Sequence, residues 1–361
     1  MNRTVALLVC SAAALWAQTP NRPQNPRPPY PYIAEDVACE TGTSATLAGT
    51  LTLPPGSGPF AAAVLISGSG PQDRDETIQG HKPFWIIADY LTRRGLAVLR
   101  LDDRGVGGSG GKSSETTLSE MADDVLAVVR YLKTRKEIDP KRIGLIGHSE
   151  GGLVGPLAAT RSSDVAFVVM LAGTGVDGVK LLELQAELVN RSMGVPATAA
   201  AFNRSVQQMM IAIVRSEEDP EAAAAKIRVA WRRIKEDAPV EQRALLDGAD
   251  PQIETGIRRI TSRELRSFLL YDPAEALSKL RVPVLVMNGS RDIQVSPRQN
   301  LPAILGALMA AENSDITLVE MPGLNHLFQR CRKCSVPEYA ELEESFSPAA
   351  LDVIGEWIVR H

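Results

Sequence analysis

From residue 36 onwards, short apolar runs alternate with stretches whose apolar positions recur every three or four residues. Residues 47–53 carry leucines at 47, 51 and 53 and end at Pro54-Pro55-Gly56, which predicts a strand with one buried face. Residues 61–66 are apolar throughout, which predicts a strand buried on both faces that runs into Gly68-Ser69-Gly70. The spacing over 84–94 predicts a helix stopped at Gly95, a residue suited to a left-handed helix end. A strand over 97–101 leads into Asp102-Asp103-Arg104-Gly105, and Thr117-Leu118-Ser119-Glu120 is a capping box opening a helix to about Lys133. Further strands are predicted over 143–146 and 165–171. The first of these is followed by Gly147-His148-Ser149-Glu150-Gly151-Gly152 and a helix of small residues.

Repeated strand–loop–helix units with strands apolar on both faces predict a mostly parallel, doubly wound α/β sheet covered on both sides. Binding residues in such sheets gather at the carboxyl ends of the strands, where the glycine-rich and charged loops fall. Residues 177–272 contain no strand pattern and are rich in Ala, Glu, Arg, Leu and Met, which predicts an inserted helical cap. The strand pattern resumes over 283–287 and 316–321, and Ser296-Pro297 and Ser347-Pro348 each open a helix with proline at its first position. The expected organisation is therefore a core over 35–176, a cap over 177–276 and the rest of the core over 277–361.

The first residues read Met1-Asn2-Arg3, an apolar run over 5–15, then Trp16-Ala17-Gln18, the pattern of a secretory signal peptide over 1–17. The run is short of the roughly 20 residues a bilayer span requires, so no stable membrane anchor is expected after cleavage. Cleavage is placed after Ala17, with Ala14 as the alternative. Val9 before Cys10 is not the small residue that lipid attachment would want. Residues 18–34 hold prolines at 20, 23, 26, 28, 29 and 31, which predicts an extended, poorly packed linker. A secreted or periplasmic location follows.

With 361 residues, 44% hydrophobic and 23% charged, the composition is that of a folded globular chain. A net charge of −4 gives no basic surface for nucleic acid. Cleavage leaves Cys39, Cys331 and Cys334. For the Cys331/Cys334 pair three readings stand: a local disulfide, free thiols, or a metal site for which only His326 is close by. No thioredoxin-like setting surrounds it.

Gly147-His148-Ser149-Glu150-Gly151 has the G-x-S-x-G form of a nucleophile elbow. A serine on a tight strand-to-helix turn is strained, and glycines two before and two after let neighbouring segments approach. That turn exposes the Ser149 hydroxyl and aims the N–H of Glu150 at a developing oxyanion. A serine needs a base to take its proton. Of the four histidines, His148 should point away from Ser149, His81 lies in an early loop and His361 is terminal, whereas His326 follows the last strand. Asp292, in Asn288-Gly289-Ser290-Arg291-Asp292, also follows a strand and is the carboxylate expected to orient His326. Asp315 precedes its strand and Asp272 sits at the cap exit. The second oxyanion donor is expected from the backbone N–H of Ser69, with Gly70 next. Arg104 is expected in a structural ion pair. Met193, Met209 and Met210 could line an acyl pocket or simply pack among helices. This chemistry calls for no metal and no organic cofactor.

Taken together, Gly68–Asp75, Asp103–Ser109, Gly147–Gly152, Asn288–Asp292 and Asn325-His326 resemble the α/β-hydrolases, and specifically the bacterial esterase D-like and serine aminopeptidase-like branch. The chain order Ser149, Asp292, His326 is that of this superfamily. The resemblance implies a Ser149–Asp292–His326 triad and carboxylesterase activity on short acyl chains. The basic loop Cys331-Arg332-Lys333-Cys334, just after the histidine, departs from it. Three readings follow: an exported serine carboxylesterase acting on a small-molecule ester; a serine aminopeptidase or prolyl peptidase, with Glu183, Glu187 or Asp73 holding the substrate amine; and a non-catalytic binding module.

Overall fold

The computed structural model describes residues 21–42 and 45–361, so the expected signal peptide over 1–17 lies outside the described residues. Eight strands form one sheet: β1 Ile33–Glu40, β2 Thr46–Leu53, β3 Phe60–Ile66, β4 Ala97–Leu101, β5 Ile138–His148, β6 Val168–Leu171, β7 Val284–Gly289 and β8 Ile316–Met321. Their spatial order is β1-β2-β4-β3-β5-β6-β7-β8, with β1 and β2 antiparallel and everything from β4 to β8 parallel. Strand β3 lies between β4 and β5, so the crossover from β3 to β4 and the one from β4 to β5 run in opposite directions and open a crevice at the carboxyl end of β3.

Period-two alternation makes the parallel strands apolar on both sides. In β3, Ala62, Val64 and Ile66 face one core, while Ala61, Ala63 and Leu65 face the other. Helices α1 (Pro83–Thr92) and α12 (Pro348–Arg360) cover the second face through Phe84, Ile87, Leu91, Ile354 and Trp357. Helices α2 (Leu118–Lys133), α3 (Gly151–Ala159) and α11 (Pro297–Ala310) cover the first, with the short α10 (Ala274–Leu277) beside them. The capping box forms as the sequence predicts: Thr117 Oγ1 accepts from Glu120 N, and the Glu120 side chain accepts from Thr117 N.

Between β6 and α10 stand six helices: α4 Gly178–Ser192, α5 Ala197–Ser216, α6 Pro220–Asp237, α7 Val240–Asp247, α8 Asp250–Ile260 and α9 Arg263–Leu270. They enclose a core of their own around Val214, Ile227, Trp231 and Ile257. Met210 is buried in that core and Met209 packs against it, whereas Met193 is exposed at the end of α4. Helix α9 carries this unit onto the sheet domain: Leu118 N donates to Ser267 Oγ, Arg263 pairs with Glu120, and Phe268 enters the first core. No helix among the described residues is long and apolar enough to cross a membrane.

The expectation of a poorly packed linker over 18–34 needs correction where the residues are described. Gln24 Oε1 accepts from the backbone N–H groups of Ser345 and Phe346, its amide donates to Phe346 O, and the Arg22 guanidinium donates to the carbonyls of Leu342, Ala340 and Gln79. Prolines remove donors from this segment, but two polar side chains strap it to the loop before α12. From Ile33 onward the chain is already strand β1, paired with β2.

Candidate active site

Strand β5 ends in the elbow. Ser149 has φ of 53°, left-handed backbone that a serine adopts only when its surroundings impose it. Its N–H donates to Leu171 O at 2.8 Å, fixing the turn to β6. The flanking glycines are sterically required: a Cβ on Gly147 would lie 2.0 Å from the Gly151 carbonyl oxygen, and one on Gly151 would lie 2.1 Å from Ile66 O. Helix α3 begins immediately after, so the Glu150 N–H stands at a helix N-terminus and meets no acceptor among the described residues.

The loop after β3 passes directly over Ser149. A Cβ on Gly68 would sit 3.3 Å from Ser149 Cβ. The Gly68 N–H is taken by Glu76 Oε1 at 2.7 Å, and the Gly70 N–H reaches Glu264 Oε1 on α9 at 3.3 Å. Of these neighbours, the Ser69 N–H alone has no acceptor among the described residues. The two backbone donors singled out from the sequence, Ser69 and Glu150, are therefore both free beside Ser149.

The loops after β7 and β8 are stitched together. Gly323 N donates to Ser290 Oγ, Arg291 N donates to Leu324 O, and a Cβ on Gly289 would lie 2.3 Å from Leu324 O, so glycine alone permits this approach. Asn325 Oδ1 accepts from Leu327 N and Gln329 N, which tightens the turn that presents His326. His326 Nδ1 lies 2.8 Å from Asp292 Oδ2, and the other Asp292 oxygen accepts the N–H groups of Gln294 and Val295, each at 2.8 Å. With the carboxylate as acceptor, Nδ1 carries the ring proton and Nε2 is left with a free lone pair. The His326 loop docks on the elbow itself, since His148 Nε2 donates to His326 O at 3.0 Å and the two rings lie 4.8 Å apart. Neither Ser149 Oγ nor His326 Nε2 makes a hydrogen bond to another described residue. A nucleophile and base that close on one another only around a substrate would leave both groups so.

Carboxyl groups crowd the crevice. Burial pushes Glu150 up to about 8, with Glu264 and Asp103 adding to the effect and Arg259 opposing it. Burial also pushes Asp103 up to about 7, against the hydrogen bonds from Ser67 and Gln72.

Other sequence candidates fall elsewhere. His81 is buried between Ser345 Oγ and Tyr339 O, with burial lowering it to about 4, and His361 sits against Trp357 and Asp315. Arg104 forms the expected ion pair, both of its bonds to Asp124 measuring 2.6 Å. Glu183 accepts from Gln208, Glu187 pairs with Arg191 and Arg204, and Asp73 caps the turn at Asp75 and Thr77, so none of the three is free to hold an amine. The carboxyls at the elbow are instead Glu150, Glu264 and Asp103, together with Glu76, which sequence reasoning missed. Cys331 and Cys334 form a disulfide with Cα atoms 5.0 Å apart, and Cys39 is a buried free thiol. No cluster suited to a metal ion exists among the described residues.

Comparison with known proteins agrees with this fold. Esterase EstD of Thermotoga maritima is 29% identical over 314 residues, which is 87% of this chain and 66% of that protein, so the chain spans just under two thirds of its length. The Pyrococcus furiosus esterase Pf2001 superposes with a TM-score of 0.54 at 17% identity, covering 97% of this chain and 99% of that one. Est1E of Butyrivibrio proteoclasticus, solved with ferulic acid, gives a TM-score of 0.51 at 18% identity over 90% of this chain and 98% of its own. At such identities these two structures establish the fold. The family described as serine aminopeptidase, S33, matches residues 84–330, and the chain belongs to this family of α/β-hydrolases.

Proposed function

We propose that this protein is an exported serine carboxylesterase that cleaves short-chain carboxylic esters of small molecules through an acyl-enzyme on Ser149. The observation that carries the reading is the Asp292–His326 pair docked on a left-handed serine whose two adjoining backbone donors are unoccupied. Likeness to a relative named as an esterase supports the ester over other acyl compounds.

Ser149 Oγ attacks the ester carbonyl while His326 Nε2 takes its proton, and Asp292 holds the imidazole and stabilises its charged form. The oxyanion is received by the N–H groups of Ser69 and Glu150. His326 then protonates the leaving alcohol, and a water activated by the same nitrogen releases the acyl group. No metal or organic cofactor takes part. A cavity of about 70 Å³ between Ser67, Gly68, Asp103, Met121, Val125 and Val154 adjoins the oxyanion loop. Neither Ser149 nor His326 lines it, so the short-chain preference rests on the family resemblance. Export rests on the signal pattern over 1–17, and the closed Cys331–Cys334 bond suits an oxidising compartment.

The test is release of a chromogenic alcohol from short-chain esters by the native enzyme and by Ser149→Ala. A loss of about 10³-fold or more is expected, and equal rates would reject the reading. The family match and the carboxyl cluster at Glu150, Asp103 and Glu264 favour one second reading, an aminoacyl substrate whose ammonium meets those groups. Glu150 at about 8 is mostly uncharged at neutral pH, however, which suits an uncharged ester better. Faster turnover of amino-acyl anilides than of simple esters would reverse that order.

A further inference from the structure

The residue before Ser149 has no part in the proposed reaction, yet both nitrogens of its buried side chain are hydrogen-bonded. His148 is 4% exposed and Glu76 1% exposed, and their contact, His148 Nδ1 to Glu76 Oε1, measures 2.8 Å. His148 Nε2 lies 3.0 Å from the carbonyl oxygen of His326, and Glu76 Oε1 also accepts the Gly68 N–H at 2.7 Å. Glu76 itself is held at φ of 51°, and its Oε2 is buried without a hydrogen-bond partner among the described residues. An unsatisfied buried carboxylate oxygen and a strained backbone are both costly, which marks the position as more than packing.

We propose that Glu76 and His148 form a buried carboxylate–imidazolium pair that positions His326 and the loop of the Ser69 donor against Ser149. The hydrogen-bond pattern argues for the charged form. A carbonyl oxygen only accepts, so Nε2 must carry a proton toward His326 O. Oε1 already receives the Gly68 N–H and is best satisfied as a carboxylate receiving a second proton from Nδ1. Both ring nitrogens of His148 are then protonated. Burial alone would lower the His148 pKa, but the charge and hydrogen bond of Glu76, the His326 carbonyl and the more distant Asp292 together raise it. The other titratable groups facing the pair are His326, whose ring is 4.8 Å away, and Asp103, which lies close enough to Glu76 to feel its charge. Each imidazole thus has its own carboxylate, Asp292 for His326 and Glu76 for His148. An imidazolium whose charge is paired by Glu76 leaves His326 free to accept the Ser149 proton without facing an uncompensated positive neighbour. One side-chain pair ties together three segments far apart in sequence: the loop after β3, the elbow and the loop after β8.

This inference rests on the esterase reading for its purpose but not for its test. Nitrogen-15 NMR of the four histidines in the intact protein at about pH 8 should find one imidazole doubly protonated, and that signal should vanish in His148→Gln. Glu76→Gln keeps an acceptor for Gly68 while removing the charge. It should lower kcat about 10- to 100-fold with KM within about twofold, and displace the acid limb of the kcat/KM profile. Four neutral imidazoles at that pH, or a folded Glu76→Gln enzyme with native kcat and pH profile, would overturn the proposal. If Glu76→Gln does not fold, the spectrum of the native protein still decides. Failure of the esterase reading would appear separately, as unchanged turnover by Ser149→Ala.

Discussion

Replacing Glu150 by glutamine separates two things this residue does at the elbow. Its backbone N–H is an oxyanion donor in the proposed mechanism, and its buried carboxyl titrates at about 8. Glutamine keeps the first and abolishes the second. From that value about a tenth of the native enzyme carries the Glu150 charge at pH 7 and about nine tenths at pH 9. Taking a separation of about 6 Å and an effective dielectric near 20, the Glu150 carboxylate opposes a developing oxyanion by about 3 kcal/mol, so the ionised form is nearly inactive. The native kcat/KM at pH 9 should therefore fall to about a tenth of its neutral plateau, while Glu150→Gln holds its plateau through pH 9. Stability follows the same group. Its folded pKa lies above the ordinary 4.5, so the folded state binds the extra proton. The resulting contribution is complete below about 4.5 and is lost as pH rises to about 8. Over that window the native protein loses up to about 5 kcal/mol relative to the glutamine variant. Steady-state assays with a chromogenic short-chain ester from pH 6 to 9.5, paired with thermal melts, read both effects. A native and a variant enzyme with the same high-pH limb and the same pH dependence of Tm would refute the reasoning.

Three further perturbations test neighbouring parts of the site. Asp292→Asn turns the acceptor that fixes the His326 tautomer into a partial donor, and kcat should fall on the order of 10³- to 10⁴-fold with the fold intact by circular dichroism. Gly147→Ala drives a methyl to within 2.0 Å of the Gly151 carbonyl oxygen; urea unfolding should register a cost of about 3 kcal/mol and phosphonate labelling of Ser149 should slow. Replacing Cys331 and Cys334 together by serine opens a loop with a sequence separation of three, which chain entropy values at about 2 kcal/mol, and a Tm unchanged under oxidising conditions would contradict that figure.

Much of this site is legible in sequence because parallel sheets gather function at strand ends. Ser149, Asp292 and His326 each follow an apolar run, and the free Ser69 and Glu150 donors follow from the same reasoning. What escapes is long-range and polar. Glu76 sits in an irregular loop, and its contact with His148 spans 72 residues that no periodicity connects. Strand β1 is unmarked because it is an edge: among Ile33–Glu40, Cys39 alone is buried, and the charges on Glu35, Asp36 and Glu40 hide the alternation. Strand β5 extends back to Ile138 through Asp139-Pro140-Lys141-Arg142, a polar stretch that reads as a turn and joins the sheet through an irregular register against Phe60. The prolines before residue 33 signal an extended chain correctly but say nothing of Gln24, whose partners lie more than 300 residues away. Carboxylates at Glu183, Glu187 and Asp73 look available in sequence, yet each is occupied locally.

The central claim is that Ser149 is a nucleophile made reactive by His326. Intact-mass and peptide analysis after treatment with an organophosphonate measures it most directly. One adduct per chain on the peptide bearing Ser149, absent from Ser149→Ala and formed at least about a thousandfold more slowly in His326→Ala, is the predicted result. An enzyme that turns over esters while Ser149 stays unmodified, or one whose labelling rate ignores the loss of His326, would contradict it.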